Sequence, residues 1–283
     1  MIRKLKKMAP GWFWTRRKIM KEDYSLHPPL VVYQPGGVGS STVYDTLLAA
    51  GLPNRVFHVH YLSRKGIREA EKFHKTLPDP AIPDELRLSE SLRRKMAKDS
   101  RARWLIITLM RDPVARVVSS FFHNAWTHYQ EIFDARGKVD PDKALAALQG
   151  VFEGKGRENL RYNWFEHEFK PALGLDLCSE PLDSGQGWFI LEKENLRVLA
   201  LRLEDLEQVF HEAAGRLLGL NAPLEAPFVR TNLARERDYY PEYLRVRERL
   251  KLSQSVLDEL YSDPYVRHFY APGEIARFKE TWS

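Results

Sequence analysis

The chain reads as an α/β protein, a three-layer fold with a mostly parallel central sheet flanked by helices. Three observations predict it. Trp104-Leu105-Ile106-Ile107-Thr108-Leu109-Met110 is apolar almost throughout, as a parallel strand covered on both faces must be. Shorter apolar runs precede and follow it, each separated from the next by a helical stretch, which is the βα alternation of a parallel sheet. The first run, Leu30-Val31-Val32, leads into Gly36-Gly37-Val38-Gly39-Ser40-Ser41-Thr42. A strand, a glycine turn and a hydroxyl-rich helix start together turn main-chain N–H groups and a positive helix end toward an anion.

The elements follow in order. After the loop, Val43 to Ala50 reads as a helix ended by Gly51, and Arg55 to Tyr61 as a second strand. Residues 64–76 and 84–99 are predicted helices on either side of a proline-rich loop, 78–83. Asp112 and Pro113 suit the cap and first position of a helix predicted over 113–133. Helices are expected at 142–152 and 158–172, then two strands, Trp188–Leu191 and Leu196–Leu201, around a turn at 192–195. Asp205 to Leu218 carries one apolar stripe (Leu206, Val209, Phe210, Ala213, Leu217) before Gly219. From Tyr240 onward the chain is helical and basic.

The bulk properties narrow the class. In 283 residues no apolar run approaches the roughly 18 of a membrane span. The single cysteine, Cys178, forms no disulfide framework and no metal cluster, which fits a reducing cytoplasm. A net charge of +6 favours anionic ligands. Residues 1–28 form a basic arm in which Trp12, Phe13 and Trp14 are interleaved with Arg and Lys, and residues 29–283 a single domain. The arm either packs its aromatics on the domain or makes a peripheral contact with an anionic membrane face. No ordered aromatic platform accompanies the basic patches, so no specific nucleic-acid partner is expected.

Arg111 and Ser119 form a second candidate anion site. They follow the central strand directly, where open α/β sheets bind their ligands. Arginine offers a planar fork matched to phosphate oxygens and serine a hydroxyl; the structural alternative is an Arg111–Asp112 pair with serines bonded to helix carbonyls. The first loop lacks the Gly-Lys-Ser/Thr of an ATP-binding loop, since no lysine lies between Gln34 and Ala50. A small-molecule kinase of the P-loop type is therefore a weak alternative.

Gly39-Ser40-Ser41, then Arg111-Asp112-Pro113 with Ser119 eight residues past the arginine, then Leu201-Arg202-Leu203-Glu204-Asp205-Leu206, resemble in their order the sulfotransferase superfamily. That resemblance implies a P-loop-like fold and 3′-phosphoadenosine 5′-phosphosulfate (PAPS) as sulfuryl donor, with no metal. It implies Gly37, Val38, Gly39, Ser40, Ser41 and Thr42 around the 5′-phosphosulfate, and Arg111 and Ser119 at the 3′-phosphate. Asn163-Trp164-Phe165-Glu166-His167-Glu168-Phe169 and the segment His268 to Ile275 are similar to bacterial capsular polysaccharide synthesis proteins, which implies a carbohydrate acceptor. Trp164, His167 and Glu168 are the candidate acceptor-binding residues.

The superfamily carries a lysine where this chain has Gly37. Arg64, Lys65 or Arg116 are candidate substitutes, and Gly37→Lys is the replacement that would restore the charge. A nucleotide-binding protein with weak or no catalysis is the alternative reading. For the acceptor's proton, His58 and His60 stand two apart on a strand and so share a face, with His60 nearer the carboxyl end. A similar histidine position serves as base in sulfotransferases acting on uronic acids. Both histidines also suit a purely structural role. His123, four residues past Ser119, is a third candidate.

Overall fold

The computed structural model describes residues 11–77, 81–154, 163–180 and 185–283. Its centre is a five-stranded sheet built from β1 (Leu30–Tyr33), β2 (Val56–Val59), β3 (Trp104–Met110), β4 (Trp188–Lys193) and β5 (Leu196–Arg202). The strand order is β2-β1-β3-β5-β4. The first four in that order run parallel, and β4 closes one edge antiparallel to β5. Glu194, in the two-residue turn between β4 and β5, takes the left-handed backbone (φ 53°) that tight hairpins require.

Every residue of β1 and β3 is buried, because helices cover both faces. On one face Leu30, Val32, Leu105, Ile107, Leu199 and Leu201 pack against α2 (Ser40–Ala49) and α8 (Leu206–Leu218). On the other, Val31, Tyr33, Trp104, Ile106, Val198 and Ala200 share a core with α1 (Gly11–Lys21), α4 (Asp84–Lys98) and α5 (Pro113–His128). Within residues 1–28, Ile19 of α1 and Tyr24 are buried in that core; the side chains of Trp12, Phe13 and Trp14 lie outside the described residues. Among the described residues no helix is long and apolar enough to cross a membrane.

Three predicted elements differ. β2 pairs only from Val56 to Val59. His60 then leaves the ladder, and its ring takes the Gln34 carbonyl. α5 ends at His128 and a 3-10 turn follows at Gln130–Ile132, where Ile132 enters the core. Of the helix expected over 158–172, residues 158–162 lie outside the described residues. The rest is a π-helical turn, Phe165–Phe169, which continues into α7 (Lys170–Leu173). The wider turn directs Glu168 into the interior, where it is fully buried.

From β1 the chain moves to β2 on one side, then crosses to β3 on the other. The order therefore reverses between β1 and β3. At such a point the loops leaving the carboxyl ends diverge and open a crevice. Those loops are Gln34–Gly39 and Arg111–Asp112.

Candidate functional site

A cleft of about 450 Å³ opens at this crevice. It is lined by Gly36, Gly37, Gly39, Ser40, Ser41 and Thr42, by His58, His60 and His123, and by Arg111, Ser119 and Arg230. Residues as far as 194 positions apart, Gly36 and Arg230, thus share one concavity, within the usual 300–1,000 Å³ of small-ligand sites.

The glycines of the loop are sterically required. Gly37 and Gly39 have φ of +82° and +79°, in the left-handed region. A Cβ on Gly37 would lie 2.5 Å from Ser120 Oγ and 2.8 Å from the Arg116 carbonyl. One on Gly39 would lie 2.7 Å from a Leu203 methyl. The backbone has therefore settled directly onto α5 and the β5–α8 turn, and a lysine at position 37 cannot be accommodated. Gly37→Lys, the replacement suggested by the sequence, is excluded on these grounds. Val38 turns its side chain into the core beneath the loop, leaving only its backbone for a ligand. Gly39 caps α2 without a side-chain bond, so the first N–H groups of that helix, beside Ser40 and Ser41, meet no cap.

Arg111 enters the same space from β3. Its Nη1 donates to the Gly37 carbonyl at 2.7 Å, fastening one switch-point loop to the other. Next to it, Asp112 caps α5 through Val114 N and Ala115 N. Asp112 also accepts from Tyr261 OH (2.5 Å) and Trp282 Nε1 (2.9 Å). The Leu203–Asp205 turn supports it, with Glu204 Oε1 accepting the Asp112 N–H and Glu204 Oε2 the Tyr270 hydroxyl. Arg202 reaches Asp205 and Glu274. Glu204 and Asp205 thus brace the junction, as their position at a strand–helix turn predicts.

The histidines are unequal. His60 Nδ1 lies 2.7 Å from the Gln34 carbonyl, an acceptor only, so Nδ1 carries the hydrogen and Nε2 holds the lone pair. Glu85 Oε1, at the start of α4, stands 3.9 Å from that Nε2. His58 is stacked on Tyr44, edge-on to His60, and its buried Nε2 has no protein partner. Burial, reinforced by His60, lowers His58 to about 4, so its ring is neutral at pH 7. His123 is also held below its ordinary value by burial, then by Arg237 and His60.

The three candidate acceptor residues do not line this cleft. Glu168 is locked in the interior: Oε1 accepts from Tyr33 OH (2.7 Å), Leu62 N (2.6 Å) and Ser63 N (2.7 Å), and Oε2 from Ser63 Oγ (2.5 Å). Its carboxylate has no face left for a ligand, and its role is structural. Trp164 is buried and donates from Nε1 to the His60 carbonyl at 3.0 Å, which steadies His60 rather than offering an open stacking surface. It borders a neighbouring pocket of about 150 Å³ with Arg116 and Asp263. His167 is exposed on the outer side of the π-turn. Arg64 and Lys65 belong to a separate groove with Arg93 and Trp104 and do not replace the missing loop cation.

Of the far wall, the sequence points only to Arg230, which with Arg235 is a candidate 3′-phosphate contact. Phe228, Thr231, Asn232, Tyr239 and Tyr243 come from a stretch with little regular structure and a following helix, α9 (Tyr240–Arg249). Thr46 Oγ1 accepts from Val229 N at 3.0 Å, tying this wall to α2. Thr42 Oγ1 adds longer contacts to Thr231. Arg230 is joined to Glu207. The paired basic and aromatic residues between 228 and 243 were the available signal.

Residues 136–271 match the family described as "Putative capsular polysaccharide synthesis protein" (NKWYS). The match takes in the π-turn, the Leu203–Asp205 turn and the far wall of the cleft, and stops short of the loop at 36–42, Arg111 and Ser119. Neither the curated proteins nor the solved structures compared with the chain contain a match.

Proposed function

We propose that this chain is a PAPS-dependent sulfotransferase acting on a carbohydrate hydroxyl, in the cytoplasm, in the making of a surface polysaccharide. The observation that carries the reading is the convergence of the glycine–serine loop, Arg111, Ser119 and His60 on one cleft at the switch point. The similarity over residues 136–271 supports the polysaccharide side of it.

The residues present fit such a donor. Uncapped N–H groups of α2 with Ser40 and Ser41 would hold the 5′-phosphosulfate, and Ser119 on α5 the 3′-phosphate. Bound there, PAPS would supply the sulfuryl group, the sulfur–oxygen bond to its 5′-phosphate breaking as the acceptor oxygen bonds to sulfur and the electron pair staying on that phosphate. The acceptor's proton goes to His60 Nε2, whose lone pair is fixed by the Nδ1 hydrogen bond to Gln34. The Gln34 carbonyl holds the ring, and Trp164 holds the His60 backbone beneath it. His58, uncharged at pH 7, avoids placing a second cation beside the base.

Calorimetry with 3′,5′-ADP and ATP tests the donor assignment. The expected result is binding of the bisphosphate only; tight ATP binding with none of the bisphosphate would end the reading. His60→Gln should keep bisphosphate affinity and lose about 10²–10⁴-fold in transfer from PAPS to acidic polysaccharides. Bisphosphate binding without transfer by the unmodified protein would favour a nucleotide-binding role, which the cation-free loop also suggests.

A further inference from the structure

The loop presents amide N–H groups and hydroxyls but no cationic side chain, and the Cβ contacts at Gly37 leave no room for one. A group transfer whose departing electron pair collects on a phosphate needs positive charge held at that phosphate. Four basic residues can be set aside by place. Arg64 and Lys65 line a different groove. Arg230 reaches the cleft with its guanidinium engaged by Glu207. Arg116 faces the pocket on the far side of the loop, where burial, followed by repulsion from Arg111, pushes it down to about 10.

Arg111 differs from all four. It lines the cleft and is bonded to the loop at the residue where a cation is missing, Nη1 to Gly37 O at 2.7 Å. A guanidinium has five N–H donors in a rigid fork, so one spent on the carbonyl leaves others for an anion on the loop. The Gly37 carbonyl also fixes the guanidinium before any ligand arrives, so little ordering remains to be done on binding.

Resting on the sulfotransferase reading above, we infer that Arg111 supplies the loop's positive charge and contacts the 5′-phosphate from which the sulfuryl group departs, rather than the 3′-phosphate. The charge that other loops carry on their own side chain reaches this one from the neighbouring strand. Glycine at position 37 and arginine at 111 then act as one unit: the bare Cα lets the loop settle on α5, and its exposed carbonyl receives the guanidinium.

The test is calorimetric titration of the full chain and of Arg111→Ala, Arg111→Gln and Arg111→Lys with 3′,5′-ADP, 5′-AMP and 3′-AMP, each variant first checked by thermal melting. Ala and Gln should weaken 3′,5′-ADP and 5′-AMP by a common factor of at least about ten, or 1.4 kcal/mol. They should leave 3′-AMP unchanged, and Lys should recover part of the loss. Glutamine can still donate to the Gly37 carbonyl but carries no charge. Wild-type affinity in Arg111→Gln would therefore reduce Arg111 to a brace for the loop and overturn the inference. A loss confined to the ligands bearing a 3′-phosphate would overturn it too, while leaving the donor assignment intact. Failure of the unmodified chain to bind any of the three nucleotides would remove the donor reading itself, and the inference with it. If Arg111→Ala fails to fold, the Gln and Lys variants decide.

Discussion

The main-chain N–H of Asp112 donates to Glu204 Oε1 at 2.9 Å, so the residue that caps α5 is itself held by the turn leaving β5. Two adjacent strand ends are thereby fixed together behind Arg111. Glu204→Ala would strip that buried N–H and the Tyr270 hydroxyl of their acceptor, and stability should fall by about 1–3 kcal/mol.

The same carboxylate gives a pH signature. Burial raises Glu204 above 4.5, outweighing the hydrogen bonds from Asp112 and Tyr270, which favour its charged form. A carboxyl whose folded value is raised contributes stability that is fully present below its unfolded value and is lost as pH rises through the folded one. Relative to Glu204→Gln, which cannot ionise, the native chain should lose stability as pH climbs above 4.5 and through the raised folded-state value. Melting temperatures of the two proteins measured across that window check this.

Glu168 and Gly66 form a second pair that cannot be changed independently. A Cβ on Gly66 would stand 1.9 Å from Glu168 Oε2. Gly66→Ala should cost about 1–3 kcal/mol by overpacking. Glu168→Ala leaves Leu62 N and Ser63 N buried without an acceptor and should cost at least about 3 kcal/mol. Chemical denaturation of both variants and of the double variant measures the coupling. A double-variant loss equal to the sum of the two single losses would contradict the contact.

His58 should make the fold acid-sensitive. Its value is lowered from 6.5 to about 4, chiefly by burial. The neutral ring's contribution is thus present above 6.5 and lost as pH falls toward and through 4, by at most about 3 kcal/mol. His58→Phe, which keeps the stacking on Tyr44 and cannot protonate, should flatten the stability profile between pH 6.5 and 4. An unchanged profile would mean that His58 is solvated in the folded state.

Much of the fold was legible because its signals are local. The apolar run 104–110 has no other stable place than a central strand, and Asp112-Pro113 marks a helix start by its own chemistry. The loop, Arg111, His58 and His60 could be grouped for the same reason, since each lies at or beside a strand end, and Ser119 follows from the helix that Asp112-Pro113 starts. That Glu168 and Trp164 lie outside the cleft was not legible, because their places are set by partners more than a hundred positions away, at Tyr33, Ser63 and His60. Apart from Arg230, the wall from Phe228 to Tyr243 was not legible, because irregular backbone carries no periodicity. Gly37 could be identified as a missing lysine from sequence, but not the reason for it, which is the approach of Ser120 and Arg116.

The hydrogen bond from Trp282 to Asp112 spans 170 positions. During synthesis the loop at 36–42 and the strand carrying Arg111 emerge early, yet the capping aspartate beside that arginine waits for the chain to reach Trp282. Closing so long a loop is entropically slow, and it comes late. A nascent chain halted before that point would expose Asp112 and the start of α5 to solvent. The bracing of Asp112 behind Arg111 is therefore among the last contacts to form.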